Sequence, residues 1–122
     1  MSIPTAILVG LVGLAHFGFM SIEMFLWEKP TGMRIFRLDP EFAKKSRALA
    51  ANMGLYNSYL GAGLIWSLFP IGAPDSGRAI ATFFLICVII AGTFAAATAS
   101  RRILWIQAAP ALLALILLWT IG

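Results

Sequence analysis

Charge is scarce in this sequence. Asp, Glu, Lys and Arg make up 11% of its 122 residues, where soluble domains carry about 25%. So few charges exclude an ordinary soluble fold, because a small domain keeps much of its surface wet and must cover it with polar groups. Cysteine is nearly absent: Cys87 stands alone, which excludes an intrachain disulfide or a cysteine cluster. In the apolar run 83–90 it reads as a packed or lipid-facing thiol. Histidine is also single, at His16, and one imidazole, one thiol and scattered carboxylates fall short of the three or four ligands a metal site needs. Bis-histidine haem would require a second copy. The N-terminus shows no basic n-region and no small-residue cleavage site ahead of a mature domain, so the first segment reads as a retained helix.

Apolar residues fill the space that charge leaves. They account for 61% of the chain, against about 45–50% in soluble domains, and they cluster in runs. A helix needs about 20 apolar residues to cross the hydrocarbon core. Residues 3–27, 48–69, 78–100 and 103–121 meet that length. The expectation is an all-α integral membrane four-helix bundle, folded as one transmembrane domain over residues 1–122.

The basic residues orient it. Lys29, Arg34, Arg37, Lys44, Lys45 and Arg47 lie in the first link, and Arg101 and Arg102 in the third, leaving Arg78 alone on the opposite side. The positive-inside rule puts the first and third links in the cytoplasm and both termini outside. The net charge of +4 therefore belongs beside lipid headgroups, and no nucleic-acid partner is expected. Trp27, Trp66, Trp105 and Trp119 fall near span ends, as interfacial anchors do. Asp39-Pro40-Glu41 reads as a helix start, with Asp as N-cap and Pro at the first helical position. The second helix is thus expected to begin near residue 40 and project into the cytoplasm. Glu41 and Lys45 pair at i, i+4, and Asp75 or Ser76 is expected to cap the third span.

Polar groups inside spans are costly and usually face the bundle interior. On the first helix His16, Met20, Glu23 and Trp27 share one face by their 4-3-4 spacing. On the second, Asn52, Tyr56, Tyr59 and Gly63 do the same, while Ala50, Gly54, Ser58 and Ala62 form a small-residue seam on the other side. Gly92, Ala96 and Ser100 form another on the third helix. Glu23, Asn52, Thr98 and Gln107 each lie near the cytoplasmic end of a span, roughly 6 Å below the interface, under Arg47, Arg101 and Arg102. Asn57 points elsewhere on its helix. Pro110 deprives the Ile106 carbonyl of its helical donor. The expectation is a polar pocket at the cytoplasmic end, with Glu23, Arg47, Asn52, Tyr56, Tyr59, Gln107 and His16 as candidate ligand-binding residues. Glu23, Arg101 and Arg102 are the candidates for chemistry. The plainer alternatives are an arginine partner for Glu23, interhelical hydrogen bonds for Asn52 and Gln107, and packing for His16.

Three stretches carry a family resemblance: Glu23-Met24-Phe25-Leu26-Trp27, the segment from Arg34 through Asp39-Pro40-Glu41 to Phe42, and Leu49 through Asn52-Met53-Gly54-Leu55-Tyr56-Asn57. They resemble a family of small bacterial membrane proteins designated a domain of unknown function, which implies a multi-pass protein of the inner membrane and no assigned activity. More distantly, the topology and the segment Arg47 to Tyr56 resemble the MAPEG superfamily of membrane glutathione-dependent enzymes. That likeness implies a trimer binding glutathione between subunits at the cytoplasmic end, with Arg47, Asn52 and Tyr56 on the second helix. The arginine–asparagine spacing is one residue longer here and the following acid is absent, so Glu23 would stand in for it. Arg101 or Arg102 would match the thiol-activating arginine. An acid on the first of four helices also resembles small multidrug exporters, although the Gly- and Trp-containing pattern of their later helices is not found. Three functions therefore stand side by side. One is an enzyme taking an anionic or thiol cosubstrate and a lipid-like substrate. The second is a proton-coupled transporter using Glu23, and the third a non-catalytic lipid- or partner-binding protein. The seams point to a homo-oligomer, dimer or trimer.

Overall fold

The computed structural model describes residues 1–122, and the chain is all-helical, without strands. Helix α1 covers Ile3–Phe25, α2 Pro30–Phe36, α3 Pro40–Leu68, α4 Gly77–Thr98 and α5 Ala109–Thr120, the last entered through a π-helical turn at Leu104–Ala108. Helices α1 and α4 are long and apolar enough to cross a membrane. Only 28% and 22% of their apolar windows are buried within the chain, whereas the core helix of a soluble protein hides most of its apolar surface. Helix α3 has 29 residues, about 43 Å at 1.5 Å per residue, but the polar groups between Asn52 and Tyr59 dilute its apolar character. The apolar stretch Leu104–Thr120 is shorter.

Helix α3 begins at Pro40, where the sequence puts it. Asp39 caps it by accepting the Phe42 amide on Oδ1 at 2.9 Å, and Glu41 and Lys45 form the i, i+4 pair at 3.1 Å. The side-chain cap expected on the third span is not made: Ser76 precedes α4 without a cap bond. Helix α2 was not foreseen. Its signals are a proline at the first helical position after an extended Lys29 and a chain reversal closed by the Leu38 amide on the Met33 carbonyl at 2.9 Å, a Schellman-type bond. The π turn answers the missing donor at Pro110. Ala109 reaches back to the Leu104 carbonyl, five residues away, which widens the helix just ahead of the ring.

The chain divides into two compact units. The first comprises Met1–Leu14 and Leu60–Gly122, the second Ala15–Tyr59. The first is built on Val9, Val12, Leu64, Leu85, Val88 and Leu118, all buried, with Ala81, Ala111 and Ala114 fully buried among them. Small residues let the backbones approach. At Gly92 a Cβ would lie 2.8 Å from the Ala108 amide nitrogen and 3.0 Å from its Cβ, so α4 and the π turn touch there without a side chain between them. The chain ends meet in this unit, the Ser2 amide donating to the Gly122 carbonyl. The second unit has its own small core of Trp27, Ala43 and Ala50, with Met33 and Leu38 against it.

Two glycines separate close packing from backbone entropy. Gly92→Ala is expected to lower stability by about 1–3 kcal/mol through overpacking. Gly18→Ala, where nothing lies within 4 Å of the added Cβ, is expected to leave stability unchanged or raise it by up to about 1 kcal/mol. Thermal unfolding of the purified protein in detergent checks both.

Candidate functional site

In the second unit, the expected face of α1 turns inward. His16 is 1% exposed, Glu23 4% and Trp27 9%. The His16 ring stands edge-on to Phe19 at 5.2 Å. Glu23 does not meet an arginine. Its Oε1 accepts from Nδ2 of Asn57 at 2.5 Å, while Arg47 reaches Glu28 at 3.3 Å. Asn57, expected to point elsewhere, is therefore the group that answers the acid, and Asn52 is not. The physical reason is rotation of α3. A Cβ on Gly54 would lie 2.6 Å from Met24 Cγ and 3.1 Å from the Met20 carbonyl, so α1 and α3 pack closely at this glycine. Asn57, three residues on, comes round to the same side.

The small-residue seam needs the same correction. Ala50 and Gly54 are buried, but the buried line continues through Gly61 and Leu64, and Ala62 is exposed. A repeat of four advances 40° around a 3.6-residue helix at every step, while alternating steps of four and three hold one face.

Trp27 is a structural residue and not a lipid anchor. Its indole nitrogen donates to Ser46 Oγ at 3.0 Å, and Ser46 in turn donates to the Phe42 carbonyl at 2.6 Å. Phe36 packs on the indole with ring centroids 5.0 Å apart. Trp119 is exposed, bonds Thr82 Oγ1 at 3.0 Å and carries the Arg78 guanidinium 5.1 Å from its ring.

Asn52, Tyr56 and Tyr59 lie on the outward side of α3. Tyr56 is 62% exposed and Tyr59 56%, with ring centroids 6.1 Å apart. Asn52 turns its Nδ2 back to the Ala48 carbonyl at 2.8 Å. Neither tyrosine hydroxyl has a hydrogen-bond partner within the chain. The other long helices differ. Outward residues on α1 are Ile3, Ile7, Leu11 and Leu14, and on α4 they are Phe83, Ile86, Ile90 and Phe94. The outward side of α1 is apolar, and that of α4 is apolar from Phe83 to Ile90, with Thr93 and Thr98 exposed beyond it.

The remaining candidates belong to the first unit. Arg101 and Arg102 are exposed after the end of α4, and Gln107 is half-buried in the π turn. Thr98 donates to the Phe94 carbonyl of its own helix at 2.8 Å. The cavity in this unit, about 540 Å³, lies at the other end of α4, among Met1, Ser67, Phe69, Asp75, Arg78 and Leu118. Of the expected layer, Glu23 and Asn52 belong to the second unit and Thr98 and Gln107 to the first; within the second unit the polar groups form an inward pair, Glu23 with Asn57, and an outward stripe of Asn52, Tyr56 and Tyr59.

The inward pair makes a specific prediction. Asn57→Leu leaves the Glu23 carboxyl buried without its donor and is expected to cost about 1–3 kcal/mol. Glu23→Leu in the same chain is expected to recover much of that loss. A double-mutant cycle on unfolding in detergent reads the coupling, and additive losses would rule it out.

Comparison with known proteins bears out the resemblance to the family of unknown function. A protein of Lactococcus lactis subsp. lactis (strain IL1403), described as uncharacterized protein YpaA, is 34% identical over 118 residues, covering 95% of this chain and 97% of that protein. No solved structure matches. Residues 10–119 match the family described as Protein of unknown function (DUF1304), a span that takes in α2 and α3 whole, with Glu23, Trp27, Asn52, Tyr56 and Asn57, and the chain belongs to that family.

Proposed function

We propose that the chain is a four-span, multi-pass protein of the cell inner membrane that self-associates and binds a small polar-headed molecule on the outward stripe of α3. The observation that carries this is the pair of tyrosine hydroxyls at span depth. Counted from Ala48, Tyr56 and Tyr59 lie about 12 Å and 17 Å along the helix, well below the interface where tyrosine normally sits. Lipid tails offer these groups nothing, whereas a second copy or a bound ligand does. Two further features support four crossings with the termini together. The chain ends touch through Ser2 and Gly122, and the basic residues divide as the positive-inside rule requires.

The MAPEG resemblance supplies the ligand class, an anionic thiol such as glutathione. Arg47 is suited to it. Its ion pair with Glu28 is exposed on both sides, and pairs of that kind are weak enough for a ligand carboxylate to displace. A second reading, proton-linked transport, draws on the Glu23 partner. A carboxamide can donate to a carboxylate and accept from a carboxylic acid, so Asn57 suits either protonation state where an arginine would suit one.

Each reading has its measurement. Glutathione at ten times its Kd is expected to add about 1.4 kcal/mol to stability, seen as a rise in Tm that Asn52→Ala and Tyr56→Phe reduce. No rise at millimolar glutathione rejects the thiol ligand. For transport, adding a quaternary ammonium compound is expected to release protons from the wild type but not from Glu23→Gln, and no release from either rejects that role.

A further inference from the structure

The first link contains a corner used by neither the Glu23–Asn57 pair nor the outward stripe of α3. Helix α2 exposes Ile35 and Phe36, and Phe42 is exposed at the start of α3. Arg34 and Arg37 flank the two apolar residues of α2. Across 28–47 the chain carries six cations against three acids. Two of those cations are answered, Lys45 by Glu41 and Arg47 by Glu28. Lys29, Arg34, Arg37 and Lys44 meet no carboxylate. The backbone adds an independent sign. Arg37 has φ 54° and ψ 50°, the one non-glycine residue with positive φ in the chain. Glycine takes that left-handed cap without steric penalty, and an arginine does not. A residue kept in an unfavourable conformation points to use of its side chain.

We infer that the α2 corner docks on anionic phospholipid, with Ile35 and Phe36 in the boundary between headgroups and acyl chains and Arg34 and Arg37 on the phosphates. Charge selects the occupant. An unpaired basic cluster interleaved with exposed aromatic and aliphatic side chains matches a negative, half-apolar interface. The helix is only 7 residues long, about 10 Å, too short to anchor anything alone. It follows Phe25 after four residues, so α1 delivers it to the surface. The assignment rests on the proposed crossing of the membrane by α1 and α3. Each arginine beside an anionic surface strengthens attachment about fivefold.

The test uses full-length protein in nanodiscs of phosphatidylcholine alone and of phosphatidylcholine mixed with phosphatidylglycerol. Mass spectrometry counts the lipids retained by the protein, and unfolding gives Tm. Wild type is expected to enrich phosphatidylglycerol, with enrichment falling as salt rises. Arg37→Gly is expected to weaken the enrichment about fivefold while raising Tm in the neutral discs, because glycine relieves the left-handed residue. Arg34→Gln combined with Arg37→Gly is expected to weaken it further, and Arg37→Lys to keep most of it. Enrichment that is unchanged in both arginine-loss variants overturns the assignment while leaving the span topology intact. Protein that alkali strips from the discs overturns the four-span reading itself, and the docking with it.

Discussion

In the membrane-spanning arrangement proposed above, a hydrogen-bonding group inside the hydrocarbon layer has no water to turn to, and much of this structure can be read from where each such group finds its partner. Short side chains fold back on their own helix. Ser21 bonds the Phe17 carbonyl, Ser58 that of Leu55, Ser67 that of Leu64 and Thr82 that of Arg78. Glu23 is acidic, and a helix carbonyl cannot donate to it. It needs a donor from another helix, and Asn57 supplies one. That bond requires α1 and α3 to come close, which the bare backbone of Gly54 allows. The acid's bond and the glycine contact thus go with one rotation of α3 about its own axis. With Asn57 turned inward, Tyr56 and Tyr59 face out.

Seen this way, the polar content of α3 serves two purposes on two faces. The inward face steadies the second unit. In the proposed membrane setting the outward face is not satisfied by the chain alone, and it sets α3 apart from α1 and the middle of α4, whose large outward side chains are aliphatic or phenylalanine. It also explains why α3, the longest helix, falls short of the apolar character of a simple span. A helix that reads as too polar for lipid is suited to a position where protein or ligand covers one of its sides.

Much of the fold was legible in the sequence because its signals are local. Asp39-Pro40 marks the start of α3 through a cap that the structure contains, and apolar runs mark α1 and α4. Trp27 was legible as a helix-end residue but not as a buried one, because its partner Ser46 is 19 residues away. The partner of Glu23 was missed for a related reason. The sequence offered an arginine as the partner and put Asn52 at the same depth, but partners across two helices are set by rotation as well as depth, and rotation depends on which small residues take the close contacts. Ala50, Gly54, Ser58 and Ala62 looked like one row. Only Ala50 and Gly54 lie in the buried line, because the i+4 spacing drifts around the helix. Helix α2 and the π turn were hidden by weak signals, a Pro after Lys29 and a Pro at 110, which announce a change of backbone without specifying its form.

The central claim is that the outward face of α3 is covered by protein or ligand in the membrane while the outward face of α4 is bathed in lipid. Collision rates with oxygen, measured by power-saturation electron paramagnetic resonance on single nitroxides in a Cys87→Ser background, test it most directly. Labels replacing Tyr59 on α3 and Ile90 on α4 are compared in reconstituted bilayers. The account predicts low oxygen accessibility at residue 59 and high accessibility at residue 90. Equally high values at both positions would contradict it.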